Sequence, residues 1–344
     1  MTIMSSQKLL ECIPNFSEGN DSAIIQTIAE VLSSVEGAYL LHQDIGESAN
    51  RTVMTIAGEP EAVVEAAFRG IQAAVELINM EMHTGVHPRM GATDVCPLVP
   101  LGNLSMAEAD ILARKLGKRV GEELGIPVYL YEASASSPTR TSLASIRKGE
   151  YEGIAERVFT EEWKPDFGPQ IYHKKAGQTA IGARELMLAY NVNLNTKDAK
   201  LAHEVAKDVR ESGRKVKDPK TGKTTNIPGS CKGVKAIGWY MEEYQLAQVS
   251  TNVTRLQQTD LLQAFLSISD AAEKRGLQVS GSELIGLVPL ASMLEAGRYF
   301  SKDTPTANED ELIHAAVKGL GMDSLAPFDP EERIIELKLA QMMR

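Results

Sequence analysis

Twice along this chain the hydrophobic period switches between two residues and about 3.6 in the same order, and that repeat restricts the fold more than any single motif. In the first half, residues 9–13 read as a strand, 22–35 as a helix and 38–45 and 52–57 as adjacent strands. Residues 62–78 follow as a long amphipathic helix, and 94–99 close the unit as a strand. The order β-α-β-β-α-β predicts an α+β unit, a split βαβ sheet with its helices on one face. A further helix opens on the capping box of Ser105 and Glu108, runs to about Leu124 and leads to a strand over 128–131. The second half predicts a strand over 186–194, a helix over 199–210, paired strands over 234–241 and 247–253, and a helix over 261–274. A closing strand lies within 277–288, with tail helices over 291–300 and 309–320. The halves share no obvious sequence repeat, so the duplication is one of architecture. The predicted domains are residues 1–183 and 184–344.

Composition narrows the classes of function. A chain of 344 residues suits two domains that each bury a core. Apolar residues make up 43% and charged residues 24%, the balance of a globular protein. No run approaches the roughly 18 apolar residues of a membrane span, and the first residues lack the apolar region of a signal peptide. Cys12, Cys96 and Cys231 form no metal-like pair and leave an odd thiol, so a reducing cytosol is the expected compartment. A net charge of −10 argues against a nucleic-acid surface. An anionic small molecule must then meet a local concentration of basic groups.

The segment His83-Thr84-Gly85-Val86-His87-Pro88-Arg89-Met90-Gly91 carries two of the six histidines four residues apart. Gly85 and Pro88 exclude a regular helix, so these histidines sit on an irregular segment between regular elements. A zinc pair is one reading, with Cys96 or Asp94 as a third ligand, but no His-Glu-x-x-His accompanies it. Either histidine could instead satisfy buried backbone groups. His87 stands out because Pro88 stiffens the segment and Arg89 offers a fork for a carboxylate. Asp44 ends a strand before Gly46, where it either shapes the turn, orients a histidine or holds a cationic group. Asn15–Gly19 resembles a backbone anion nest before a helix. Residues 163–182, rich in Gly and Pro, read either as a linker or as a ligand-wrapping loop with Tyr172, His173, Lys174 and Lys175 at its centre. Residues 213–232 hold six basic groups and one acid, either a solvated mobile loop or a lead-in for a polyanionic tail. Arg51, Arg89 and Arg184 are candidates for substrate carboxylates. No dinucleotide or P-loop motif is present, and no serine-hydrolase elbow.

Several runs share one further property. Glu11-Cys12-Ile13-Pro14-Asn15-Phe16-Ser17-Glu18-Gly19, Asn50-Arg51-Thr52-Val53, His87-Pro88-Arg89-Met90-Gly91-Ala92, Pro127-Val128-Tyr129-Leu130-Tyr131, Pro165-Asp166-Phe167-Gly168-Pro169, Gly238-Trp239-Tyr240 and Gln248-Val249-Ser250-Thr251-Asn252 resemble the formiminotransferase family. The resemblance runs collinearly from about residue 9 to 335. It implies two ferredoxin-like halves with a ligand tunnel between them, and a homodimer. It also implies transfer of the formimino group of N-formimino-L-glutamate to N5 of tetrahydrofolate, the co-substrate, without a metal. The family's catalytic histidine falls on His87 and its catalytic-site aspartate on Asp44. Its folate loop falls on Gly168, Pro169, Gln170, Ile171, Tyr172, His173, Lys174, Lys175, Ala176 and Gly177. The folate tail is a glutamate or a polyglutamate. With no room after residue 344 for a cyclodeaminase domain, the expected product, 5-formiminotetrahydrofolate, passes to a separate cyclodeaminase. Two alternatives keep the fold: formyl exchange between 5-formyltetrahydrofolate and glutamate, and a non-catalytic folate-binding protein.

Overall fold

A computed structural model describes residues 7–302 and 306–343. The chain divides into two compact units, Met1–Arg184 with Leu339–Arg344, and Glu185–Lys338. In the first unit the elements run β1 (Lys8–Cys12), β2 (Asn15–Phe16), α1 (Ser22–Ser33), β3 (Ala38–Gly46), β4 (Arg51–Gly58), α2 (Pro60–Leu77), β5 (Thr93–Gly102), α3 (Met106–Glu123) and β6 (Val128–Leu130). Two single-turn helices, α4 (Leu143–Ile146) and α5 (Ile154–Arg157), precede β7 (Thr179–Ala183). β1 and β2 are two stretches of one line of chain parted at Ile13 and Pro14, and both lie between β4 and β5. The sheet therefore reads β3, β4, β1 with β2, β5, β7, β6, with the last two joined in parallel.

The apolar stripes of the helices close this sheet. Ile28 and Leu32 of α1, Ile71 of α2 and Leu116 of α3 are fully buried with Leu10, Ile56 and Leu98 of the strands. The Ser105–Glu108 capping box forms as the sequence predicts: the serine hydroxyl accepts from the Glu108 amide, and the glutamate accepts from the Ser105 amide at 2.9 Å. β7 begins inside the stretch 163–182 that reads as a linker or a ligand-wrapping loop. Its sequence, Thr-Ala-Ile-Gly-Ala, is short, small and buried throughout. A strand buried on both faces shows no period-two alternation, which is why its pattern is silent.

The second unit runs β8 (Leu188–Leu194), α6 (Ala199–Val209), β9 (Arg214–Lys217), β10 (Thr224–Ile227), β11 (Val234–Met241), β12 (Leu246–Val253), α7 (Leu261–Glu273) and β13 (Val279–Ile285). Helices α8 (Leu290–Phe300), α9 (Glu309–Leu320) and α10 (Pro330–Arg333) follow, and α11 (Ile335–Met342) begins in this unit and ends in the stretch Leu339–Arg344 that belongs to the first. The four-stranded sheet is antiparallel in the order β11, β12, β8, β13. Its core joins Tyr190, Val192 and Leu194 to Val205 of α6, Ile268 of α7 and Met293 of α8. The basic stretch over 213–232, expected as an irregular loop, instead contains a hairpin of β9 and β10. Its strands are almost wholly exposed, so neither period marks them.

Candidate active site

The loop from residue 78 to 92, between α2 and β5, is held by close backbone approaches. A Cβ on Gly85 would lie 2.3 Å from the Ala49 carbonyl oxygen, and one on Gly91 would lie 2.2 Å from that of Gln178. Asn50, in the left-handed region at φ 46°, donates from its amide to the Thr84 carbonyl and accepts from the Gly19 amide. His83 donates from Nε2 to the Asn50 carbonyl at 2.8 Å and accepts at Nδ1 from Arg89 Nε at 3.1 Å. Both of its ring nitrogens are thereby occupied, which removes it from the zinc-pair reading. Arg89 also donates to both carboxylate oxygens of Glu152, at 2.6 and 2.8 Å, and to Glu150 at 3.2 Å. Arg89 clamps this loop to residues 149–152, beside an open cleft of about 420 Å³ that His87 does not line.

The stretch 168–177 packs directly against the histidine loop. Ala92 donates to the Ala176 carbonyl, Gln178 to that of Met90 and Met80 to that of Lys175. Gly177 is at φ 68°, and a Cβ there would meet the Met90 oxygen at 2.3 Å. Two segments distant in sequence thus share one wall. Replacing Gly91 by alanine should destabilise this seam by about 1–3 kcal/mol, because both nearest obstacles are backbone and cannot rotate away. Thermal unfolding checks this, and an unchanged midpoint would show that the seam can open freely. Within the stretch, the Tyr172 ring packs at a tilt against that of Tyr151, centroids 5.7 Å apart, and the Tyr151 hydroxyl donates to the Lys174 carbonyl. His173 Nδ1 accepts from the Ala176 amide, Lys175 donates to the Glu76 carbonyl, and Gln170 donates to the carbonyls of Val158 and Thr160. Gly168 packs on Gly121 of α3, Pro169 and Ile171 continue the turn, and the Lys174 side chain is exposed.

Behind the loop lies a buried ionic centre. Asp94 is fully buried; it accepts from Arg51 at 2.6 Å, from Arg147 at 2.5 and 3.2 Å and from the Met90 amide at 3.0 Å. Asn15 accepts a second bond from Arg51 at 2.8 Å. One carboxylate between two guanidinium groups leaves the centre with excess positive charge. His87 feels it: partial burial first, then the Arg51 charge with Arg147 adding to it, hold the imidazole pKa below its ordinary value, against the Pro88 carbonyl and Asp94. Nδ1 of His87 lies 2.7 Å from the Pro88 carbonyl oxygen, which can only accept. The proton of the neutral ring therefore sits on Nδ1, and Nε2 presents a bare lone pair.

The other residues singled out from the sequence are placed as follows. Asp44 is exposed on β3 opposite Val53 and makes no hydrogen bond or ion pair among the described residues, and none links it to His87. Arg184 follows β7, where its charge acts on Tyr131 and Cys12. In the nest over Asn15–Gly19 the Ser17 amide donates to the Ala92 carbonyl and the Gly19 amide to Asn50, while Glu18 accepts from the Asn20 and Asp21 amides just beyond it. Arg214, in the basic hairpin, pairs with Glu204 and Asp208, whereas Lys215, Lys217, Lys220 and Lys223 make no ion pair among the described residues. Sequence reading missed Asp94 and Arg147 as members of this centre. It also missed the approach of the Cys12 and Cys96 sulfurs to 3.3 Å, where burial pushes the Cys12 thiol up. A basic residue at 147 and a carboxylate at 94 carry no local signal, because only the fold brings them together.

Comparison with known proteins adds a second line of evidence. Residues 9–184 match the family described as "Formiminotransferase domain, N-terminal subdomain", and residues 189–340 match "Formiminotransferase domain". The chain is 41% identical to "Glutamate formimidoyltransferase" of Streptococcus pyogenes serotype M1, over 85% of this chain and 93% of that protein. It is 40% identical to the protein of the same name in Thermoplasma acidophilum, over 85% and 92%. Identity to "Formimidoyltransferase-cyclodeaminase" of Mus musculus is 46% over 96% of this chain, which spans 59% of that relative's length.

Proposed function

The chain belongs to the formiminotransferase family, and we propose that it transfers the formimino group of N-formimino-L-glutamate to N5 of tetrahydrofolate, releasing L-glutamate and 5-formiminotetrahydrofolate. The observation that carries this reading is His87, an imidazole kept neutral with Nδ1 tied and Nε2 bare. N5 attacks the amidine carbon, a C–N bond forms, and the tetrahedral adduct expels the glutamate nitrogen. The incoming amine loses one proton and the departing amine gains one. A single base held neutral near pH 7 can carry it, in through Nε2 and out to the leaving nitrogen.

Asp44, exposed and without a protein partner among the described residues, is suited to balance the positive formimino group. The excess charge of the Arg51–Asp94–Arg147 centre suits a substrate carboxylate. The stretch 168–177, packed beside the His87 loop, is the proposed folate contact, and Lys215, Lys217, Lys220 and Lys223 suit a polyglutamate tail. The strand order of each unit supports ferredoxin-like halves. A homodimer in a reducing cytosol, handing its product to a separate cyclodeaminase, completes the proposal.

Assaying the purified chain with N-formimino-L-glutamate plus tetrahydrofolate, and separately with 5-formyltetrahydrofolate plus glutamate, tests it. Faster turnover with the formimino donor is the expected result. Turnover with neither donor, alongside intact tetrahydrofolate binding, would replace transfer by the folate-binding reading.

A further inference from the structure

Arg147, one of the two cations on Asp94, stands on backbone that regular structure does not hold. Helix α4 ends at Ile146 after a single turn, too short to be stable by itself. The chain then turns at once. The Glu150 amide donates to the Arg147 carbonyl at 2.7 Å, with Gly149 at φ 84° and Glu150 at φ 55° in the left-handed region. From this turn the Arg147 guanidinium has to meet Asp94, 53 residues away in sequence on β5.

Arg157, the last residue of α5, fixes that backbone. Its guanidinium donates to the carbonyls of Ile146 and Lys148, the residues on either side of Arg147, the first at 2.7 Å. A planar fork on two carbonyls that flank one residue sets both the place and the direction from which that side chain leaves. Arg157 is held from behind in turn, its guanidinium carbon 4.1 Å from the centre of the Trp163 ring. Trp163 meets the ring of Tyr129 edge-on at 6.0 Å, and the Tyr129 hydroxyl donates to the Trp163 carbonyl at 2.6 Å. Tyr129 is fully buried on β6, so the clamp rests on the sheet. Arg157 also differs from an ordinary surface arginine. It is half-buried, makes no ion pair with a carboxylate among the described residues, and its Nε is buried without a hydrogen-bond partner. Burial lowers its pKa from the usual arginine value. With no acid to tether it, its bonds go wholly to the backbone around Arg147.

We propose that Arg157 is a positioning residue that acts through Arg147: by clamping the backbone on both sides, it keeps the Arg147 guanidinium on Asp94 and so sets the field at His87. The clamp needs no substrate, while its meaning for turnover rests on the transfer reading above. The charged groups that act on His87 are Arg51 at the start of β4, Asp94 on β5 and Arg147. With the clamp lost, Arg147 leaves Asp94, and the field at His87 loses a cation and gains an uncovered carboxylate. Both changes favour the protonated imidazole, so His87 titrates at higher pH.

NMR titration of His87 in the full chain reads this without turnover, with His87→Gln assigning the signal. Arg157→Gln should raise the His87 midpoint by about 0.3–1 pH unit, less than a charge in direct contact exerts. Arg157→Lys keeps the charge and loses the fork, so it should move the midpoint at least half as far. In an Arg147→Gln background, Arg157→Gln should move it by less than about 0.2 pH unit, because the intermediate is already gone. A cooperative melting transition above the titration temperature shows that each variant is folded, and Arg157→Lys carries the test if Arg157→Gln does not fold. An unmoved midpoint in folded Arg157→Gln overturns the proposal and leaves Arg157 a local clamp. A midpoint that stays at the parent value in Arg157→Lys, or that still moves fully in the Arg147→Gln background, overturns it in favour of direct action by the Arg157 charge. In a parent that turns over substrate, the acid limb of kcat/KM should follow the same displacement. A parent without turnover removes the transfer reading and leaves the clamp to be judged by the titration.

Discussion

Replacing His87 by alanine is expected to lower turnover by about 10²- to 10⁴-fold while leaving tetrahydrofolate affinity nearly intact, the signature of a lost proton shuttle. The pH dependence follows from the direction of its pKa shift. His87 titrates below the ordinary histidine value of 6.5, so at pH 7 the folded protein holds it neutral. Base capacity persists as the pH falls and is lost only when the depressed pKa is crossed. The acid limb of kcat/KM should therefore lie below pH 6.5 in the parent and disappear in the alanine variant. The same shift gives a stability term of fixed sign. The unfolded chain binds a proton at His87 at higher pH than the folded chain does, so this contribution is present at neutral pH and weakens as the pH falls below about 6.5. Turnover close to the parent's in a folded His87→Ala protein would remove the residue from the mechanism.

The second large effect concerns stability. Asp94→Asn should destabilise the first unit by about 3–5 kcal/mol, because Arg51 and Arg147 would be left buried around a neutral amide. The two arginines are 7% and 16% exposed, so water cannot readily take over. Denaturant unfolding measures the loss. A change below about 1 kcal/mol would mean that the centre is solvated in practice and the charges are screened. The substitution also makes a kinetic prediction, since Asp94 is one of the groups that raise the His87 pKa. Removing its charge should push the acid limb of any remaining activity to still lower pH. Loss of stability with no movement of that limb would place His87 outside the field of the centre.

Much of the fold was legible because its main elements bury one face and expose the other. The 3.6-residue stripe of residues 60–77 and the alternation of 234–241 are direct records of that asymmetry. β7 escaped because it is buried on both faces, and β9 and β10 because they are exposed on nearly all sides. The tail helices α10 and α11 are too short for a stripe to declare itself. The same logic divides the site. His87 announced itself through its local neighbours Pro88 and Arg89, and the stretch 168–177 through its glycines. Arg89 looked like a substrate fork, yet its donors are taken by Glu152, Glu150 and His83. The partners that tune His87 come from Arg51 at the start of β4, Asp94 on β5 and Arg147 after α4. Pairing across such distances is a property of strand register, which no window of neighbouring residues contains.

The β9–β10 hairpin marks where the length of this chain is free to change. Its root is fixed, with Ser230 and Cys231 donating to the Asp208 and Val209 carbonyls and Gly213 pressed against the Ile227 oxygen. Its tip is a turn closed by Asp218, which accepts from the Lys220 and Thr221 amides, and it faces open space: a Cβ built at Gly222 would meet nothing within 4 Å. Segments inserted between Pro219 and Gly222 would therefore lengthen the hairpin outward without entering the core. An affinity handle, a fluorescent reporter or a protease site belongs there, on an exposed turn outside the core of the second unit.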